Sequence, residues 1–163
     1  MRYADGPTTE VEILVHAPVA RLWSLITDIG VPARFSTEFQ GADWLDAGPA
    51  RGARFTGRSE HAAIGRWETT CVVTKCEVNR VFEWAVGDAD NASALWRFEL
   101  EPSVDGVLLR QWCQIGPGPS GLTPAILAMP DKEERIVERR LEEFRVNMHA
   151  TVEGIKQIAE STT

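Results

Sequence analysis

The sequence predicts an α+β fold in which an antiparallel sheet of seven strands packs against one long C-terminal helix. Apolar residues recur at steps of three and four from Val137 to Ala159, which places them on one side of a helix. Before this helix, short segments bounded by turn residues have the pattern that predicts β-strands. Two of them, 80–87 and 93–101, put aromatic residues on one face and charged residues on the other. One side of the sheet must therefore be covered, and the helix is the element that covers it.

The C-terminal helix is predicted over about 131–160, because no proline interrupts this segment. Asp131 is a suitable N-cap, and Glu134, three residues later, would complete a capping box. Its apolar stripe consists of Val137, Leu141, Phe144, Met148, Val152, Ile155 and Ala159. A helix of this length spans roughly 40 Å, so it needs an apolar partner surface of similar length.

The other elements follow in chain order. Residues 1–7 are polar, and we expect them to be loosely held. The first strand is predicted at 9–16, after which Pro18 opens a helix that ends near Asp28, and a second short turn runs from Pro32 to Phe35. Short links rich in turn residues separate six further strands, predicted at 40–46, 53–60, 66–77, 80–87, 93–101 and 106–115.

Composition limits the classes of function. A length of 163 residues suits one domain, 1–163, and a net charge of −7 argues against a nucleic-acid partner. No apolar run approaches the roughly 20 residues of a membrane span, so we expect no stable membrane insertion. Cys71, Cys76 and Cys113 lack the spacing of a metal or disulfide site, which is typical of a reducing compartment and predicts a cytoplasmic protein. The sequence predicts no metal and no cofactor.

Four segments resemble the polyketide cyclase/dehydrase and lipid-transport superfamily, whose members are START-like proteins. In order, they read VHAPVARLWSLITD (15–28), GARFTG (52–57), RVFEW (80–84) and WRFELEP (96–102). The resemblance implies a helix-grip fold. This is a curved seven-stranded antiparallel sheet wrapped around the long C-terminal helix, with two short helices after strand 1 and a ligand cavity between sheet and helix. The superfamily contains carriers, receptors, allergens and cyclases, so the fold does not decide the function.

The resemblance directs attention to apolar residues that face this cavity. Three tryptophans fall on strands with side chains on the covered face, and two residues lie at the centre of the helix stripe. The predicted apolar ligand-binding residues are Phe35, Trp67, Trp84, Trp96, Phe98, Phe144 and Met148. The competing interpretation is a large apolar core, since tryptophan and phenylalanine dominate core packing as well.

Polar residues on the same face complete the predicted ligand-binding set. Gln111 is in phase with apolar neighbours, so its buried amide must bond either the backbone or a ligand. Ser59 is in phase with the apolar face of the third strand. His61 is a weak candidate for a general base, because a surface histidine is the commoner explanation. We interpret the charged residues nearby, including Glu38, as a solvated rim.

Three functions fit these features. The first is a carrier or binding protein for a hydrophobic, aromatic or cyclic small molecule. The second is an enzyme similar to a polyketide cyclase or dehydratase, which would shape its substrate and supply one proton-transfer group. The third is a homodimeric interaction or regulatory module that uses the convex sheet face, where Trp112 would lie beside Arg110. The loop 116–121 is predicted to be a rigid flap that carries the apolar segment 122–129 over the cavity mouth.

Overall fold

A computed structural model describes residues 1–161, in which the chain forms a seven-stranded antiparallel sheet and three α-helices. The helices are α1 (Val19–Ile26), α2 (Thr123–Ala128) and α3 (Glu133–Glu160). The strands are β1 (Thr8–Val15), β2 (Phe39–Trp44), β3 (Arg54–His61), β4 (Gly65–Glu77), β5 (Val81–Val86), β6 (Ala94–Ser103) and β7 (Gly106–Ile115). The strand order is β1-β7-β6-β5-β4-β3-β2, which confirms the predicted helix-grip fold.

The sheet is bent by two irregularities in its hydrogen-bond register. One lies in the β2–β3 pair between Phe39 and Gly41, and the other lies in the β4–β5 pair between Val73 and Lys75. A β-bulge bends its strand and increases the local twist, so both positions help the sheet curve around α3. The β4–β5 turn contains Asn79 at a φ of 65°, a left-handed conformation that asparagine tolerates better than most residues.

Two separate apolar clusters hold the two ends of α3. The larger cluster joins the sheet and α1 to the C-terminal half of α3 through Val152, Ile155 and Ala159. The smaller cluster packs Tyr3 and Ile115 against the N-terminal residues Val137 and Leu141. The middle of the helix, between Leu141 and Val152, belongs to neither set of buried core residues. The sheet and the helix are thus tightly packed at both ends of α3.

The N-terminus is held more firmly than its polar sequence predicts. Residues Tyr3–Asp5 form a 3-10 turn, and Tyr3 is buried. The Tyr3 hydroxyl donates a hydrogen bond to the carbonyl oxygen of Gly118, and its backbone N–H donates to Glu133 Oε2 at 2.9 Å. The expectation of a loose segment is wrong because the single tyrosine ring completes the smaller apolar cluster.

The start of α3 also differs from the prediction. Residues Pro130–Lys132 form a 3-10 turn, α3 begins at Glu133, and no side chain caps its first turn. The predicted capping box of Asp131 and Glu134 is therefore wrong. Instead, the carboxylate of Glu133 accepts a hydrogen bond from the backbone N–H of Tyr3. Glu133 lies in the first turn of α3, where the helix dipole favours negative charge.

The convex face of the sheet carries a ladder of paired charges, as the alternation predicts. Arg97 contacts Glu83 at 3.0 Å and Glu99 at 2.6 Å, and its guanidinium lies 4.1 Å from the ring centre of Trp112. Trp112 and Arg110 lie two residues apart on the same face of β7, and the register places Trp112 opposite Arg97 on β6. Arg110 lies opposite Glu99, to which it is bonded.

Gly154 provides a test of helix packing. A Cβ atom at this buried position would lie 2.3 Å from ring atoms of Phe35. Alanine favours a helix by about 1 kcal/mol over glycine, but overpacking a core costs about 1–3 kcal/mol. We expect Gly154→Ala to lower the free energy of unfolding in urea by about 1–2 kcal/mol. The exposed neighbour change Glu153→Ala should shift it by less than about 0.5 kcal/mol. A Gly154→Ala protein as stable as the parent would contradict this packing.

Candidate functional site

A cavity of about 450 Å³ lies between the concave face of the sheet and the middle of α3. Its lining is largely apolar and aromatic. The sheet contributes the aromatic side chains of Phe39, Phe55, Trp67, Phe82, Trp84, Trp96 and Phe98. The helix contributes Phe144 and Met148 from the stretch between the two apolar clusters. The cavity thus occupies the part of the helix–sheet interface that the core does not fill.

Trp84 is the centre of the aromatic wall. Its ring centre lies 5.5 Å from that of Phe82, 6.0 Å from that of Phe55 and 6.1 Å from that of Phe98. Trp96 and Phe144 meet edge to face at 4.9 Å, which joins the sheet wall to the helix wall. These distances are typical of favourable aromatic pairs. Trp84 and Trp96 are only partly buried by the protein, so part of each ring remains uncovered.

Eight of the nine residues predicted to bind a ligand line this cavity: Ser59, Trp67, Trp84, Trp96, Phe98, Gln111, Phe144 and Met148. Their contact with a ligand stays a prediction. Phe35 is not part of the lining. Its ring occupies the space that the missing side chain of Gly154 leaves open, and the guanidinium of Arg34 lies 5.6 Å from the ring centre.

Gln111 is a lining residue of the cavity that carries an unsatisfied polar atom. The residue is 3% exposed, and within residues 1–161 its Oε1 atom has no hydrogen-bond partner. The side chain points inward because Gln111 shares a strand face with the buried residues Leu109 and Cys113. Phe98 lies directly across from it on β6. A buried amide oxygen without a partner typically lowers stability by about 1–3 kcal/mol, so this atom calls for an explanation.

A buried ion pair forms a second polar feature of the wall. Both terminal nitrogens of Arg140 donate to the carboxylate of Glu38, each at 2.6 Å. Arg140 is 7% exposed, and its guanidinium also lies 4.3 Å from the ring centre of Phe144. The pair connects α3 to the segment before β2, and both residues line the cavity.

The sequence interpretation missed this pair. It treated Glu38 as part of a solvated rim, whereas the structure places Glu38 in the cavity wall. A signal for Arg140 was present, because Arg140 lies three residues after Val137 and four before Phe144. That spacing puts an arginine on the apolar side of α3, where an unpaired charge would be costly.

His61 lies at the edge of the site and braces two elements. Its Nε2 atom is 2.7 Å from Glu143 Oε2 on α3, and its Nδ1 atom accepts a hydrogen bond from the Ala63 N–H. Burial opposes ionisation of Glu143, but the contact with His61 and the charge of Arg140 outweigh it, so the pKa of Glu143 lies below its usual value. His61 is not among the lining residues, and both of its ring nitrogens are engaged.

The two most buried thiols behave as apolar groups. Burial raises the pKa of Cys71, which lines the cavity, to about 11, although a hydrogen bond with Thr69 partly offsets this. Burial also raises the pKa of Cys113 well above its usual value. Both thiols are therefore protonated at neutral pH, and a thiol is a far weaker nucleophile than a thiolate.

The loop 116–121 borders the cavity at one side. Pro119, Ser120 and Gly121 are lining residues, and Ile64, at the tip of the β3–β4 hairpin, approaches Gly121. The hydrogen bond from Tyr3 to Gly118 ties this loop to the N-terminus. Of the segment that follows, Leu122 lines the cavity, but Leu127 is 77% exposed.

Within the described residues, the chain has no helix that is long and apolar enough to cross a membrane. The same residues contain no group of three histidine, cysteine or acidic side chains arranged to hold a metal ion.

The Arg140–Glu38 pair predicts a specific pattern of stability. Removing one partner of a buried pair leaves the other charge unpaired, which typically costs about 3–5 kcal/mol. We expect Arg140→Met to lower the free energy of unfolding in urea at pH 7 by about 3 kcal/mol, because methionine keeps much of the side-chain packing but leaves Glu38 unpaired.

Two further variants complete this test. Arg139→Met, a change at the exposed neighbouring residue, should shift the free energy of unfolding by less than about 0.5 kcal/mol. The double change Glu38→Gln and Arg140→Met should recover most of the lost stability, because it removes both charges. Equal effects of Arg139→Met and Arg140→Met would show that the ion pair does not support the fold.

Comparison with known proteins identifies the family. The family described as "Polyketide cyclase / dehydrase and lipid transport" matches residues 7–153. No curated protein matches the sequence. The Polyketide_cyc-like protein Cgl2372 from Corynebacterium glutamicum is similar at 30% identity, with a TM-score of 0.65 over 94% of this chain and 91% of that protein. The chain therefore belongs to the polyketide cyclase / dehydrase and lipid transport family.

More distant structures share the fold. Protein MLL2253 from Mesorhizobium loti is 20% identical, with a TM-score of 0.63 over 96% of this chain and 99% of that protein. The di-domain ARO/CYC protein BexL, from the BE-7585A biosynthetic pathway, is 11% identical with a TM-score of 0.74. The match to BexL covers 98% of this chain but 52% of BexL. At these identities the likeness concerns the fold alone.

Proposed function

We propose that this member of the family binds a hydrophobic, aromatic or cyclic small molecule in the cavity between the sheet and α3. The observation that carries this proposal is an aromatic cavity of about 450 Å³ in a helix–sheet interface that is packed at both ends. Protein interiors are normally close-packed, with few voids larger than a water molecule. Ligand sites typically measure about 300–1,000 Å³ and are lined by apolar and aromatic side chains.

A cyclase-like activity is the second candidate function. It is favoured by the carboxylate of Glu38 in the cavity wall, since a general acid or base must reach the substrate. However, both oxygens of Glu38 accept hydrogen bonds from Arg140, which would have to be released before Glu38 could move a proton. Binding without chemistry therefore has the stronger support.

An interaction module on the convex face has less support. The charges on this face pair with one another, and Trp112 is covered by the guanidinium of Arg97. A partner protein that bound this face would have to replace these ion pairs with its own. Exposed ion pairs contribute little free energy, so this replacement would contribute little to binding.

The binding proposal can be tested by filling the cavity. Thr69 lines it, whereas Thr70 is exposed on the opposite face of the same strand. Native mass spectrometry would first look for a co-purifying compound. The neutral fluorescent probe N-phenyl-1-naphthylamine would then be titrated into the parent protein and into Thr69→Phe and Thr70→Phe. We expect saturable binding of one probe per chain.

The expected difference between the two variants follows from their positions. Thr69→Phe should weaken probe binding by about tenfold or more, because the added ring takes the ligand's place, which corresponds to roughly 1.4 kcal/mol. Thr70→Phe should bind the probe as the parent does. Binding that is unaffected by Thr69→Phe, or no saturable binding together with no co-purifying compound, would contradict the proposed function.

A further inference from the structure

We infer that the cavity selects neutral ligands that carry a hydrogen-bond donor, a hydroxyl or N–H group, for Gln111 Oε1, and that it disfavours carboxylates. This inference rests on the proposed function and defines the polarity and charge of the ligand. It has two independent parts, the unsatisfied oxygen of Gln111 and the charge balance of the wall.

The protein itself does not satisfy Gln111. β7 is an inner strand, paired with β1 on one side and β6 on the other, so its backbone groups are used in the two ladders. The flanking inward residues are Leu109 and Cys113, and the residues directly opposite are Phe98 on β6 and Val11 on β1. None of these bonds Oε1, which has no partner in the described part of the chain. Gln111 is itself a lining residue of the cavity, so its unpaired amide oxygen lies in the cavity wall among apolar neighbours.

A bound ligand can provide the missing donor. A ligand with a hydroxyl or N–H group at this position would satisfy the amide oxygen, whereas an apolar ligand would leave it buried and unpaired. A site built around such a bond discriminates strongly against analogues that lack the donor, because the unpaired polar group penalises their complexes. Gln111 would thus be a specificity-determining residue.

The aromatic wall places a planar ligand near this oxygen. Phe98 lies across from Gln111 on the adjacent strand, and its ring centre is 6.1 Å from that of Trp84. Phe98 is 1% exposed, so a flat ring system would pack mainly on the partly exposed ring of Trp84, with an edge toward Phe98 and Gln111. A donor on the edge of the ring system, rather than above its face, is therefore the group that the site can bind.

The charge balance of the wall argues against anionic ligands. Asp28 and Glu38 are the acidic lining residues, and Arg140 is the basic one. Arg140 binds Glu38 through both terminal nitrogens, so within residues 1–161 the lining offers no cation that is not already paired. A carboxylate would lose its hydration without gaining a counter-ion, and burial of an uncompensated charge is very unfavourable.

The test uses four naphthalenes that share one ring system. 2-Naphthol carries a donor, 2-methoxynaphthalene carries only an acceptor, 2-methylnaphthalene carries neither, and 2-naphthoate is an anion. Each would compete with N-phenyl-1-naphthylamine at pH 7. We expect 2-naphthol to bind about tenfold or more tightly than the other two neutral compounds, and 2-naphthoate to bind most weakly.

Two matched variants assign the preference to one amide. Gln111→Leu should abolish the preference for 2-naphthol but keep the binding of 2-methylnaphthalene, and its melting temperature should not fall, because an unsatisfied buried group is removed. Gln114→Leu is the control, since Gln114 lies on the same strand but on the other face, where it donates to the carbonyl of Gly116. This control should keep the parent's preference.

Each outcome is decisive. Equal binding of 2-naphthol and 2-methylnaphthalene by the parent would overturn the inference and leave the proposed function intact. Binding of 2-methoxynaphthalene as tight as that of 2-naphthol would assign recognition to the amide N–H and overturn the role of Oε1. Tightest binding of 2-naphthoate would overturn the exclusion of anions. Failure of all four compounds to displace a bound probe would overturn the inference alone. Failure of the probe itself to bind saturably, together with the absence of a co-purifying compound, would refute the proposed function as well. Because these four comparisons use the parent, they remain informative even if Gln111→Leu does not fold.

Discussion

The packing of α3 at its two ends is the constraint on which the rest of the structure depends. Val152 and Ile155 fix one end against the sheet, while Val137 and Leu141 fix the other with the help of Tyr3. The stretch of α3 between Leu141 and Val152 spans only a few helical turns and is stiff. It therefore cannot bend toward the sheet while both ends of the helix are held in place. The cavity is therefore a consequence of where the apolar residues are concentrated, at the two ends of α3.

The Arg140–Glu38 pair connects α3 to the segment before β2. A buried ion pair rarely stabilises a protein more than apolar residues of similar volume would, because both charges lose their hydration. In this protein the pair positions two elements relative to each other. Its two hydrogen bonds, each 2.6 Å long, fix the distance between α3 and the segment before β2. An apolar pair at these positions could collapse toward the void. The ion pair also engages Arg140, and within residues 1–161 the lining contains no other positively charged side chain.

The fold could be predicted from the sequence because its signals are local and repeat. Trp84 and Trp96 appear on the correct face since strand alternation alone decides their direction. The features that were missed depend on contacts between distant residues. Phe35 packs where position 154 happens to lack a side chain, and Tyr3 is buried only because Ile115 and Val137 meet at the helix start. No local sequence pattern encodes such pairings. The position of Arg140 on the apolar side of α3 did indicate that this arginine needs a buried acidic partner.

An aromatic cavity without polar contacts would bind many apolar compounds in many orientations, because dispersion and the hydrophobic effect have little direction. One unsatisfied acceptor changes this. Within residues 1–161 the oxygen of Gln111 is buried without a hydrogen-bond partner, which typically lowers stability, and a ligand that presents a donor beside it would satisfy it. In the proposed complex, the aromatic wall would supply most of the affinity and the amide would orient the ligand. This division would give a function to the polar side chain on the inner face of β7, between Leu109 and Cys113, where we expect Gln111→Leu not to destabilise the protein.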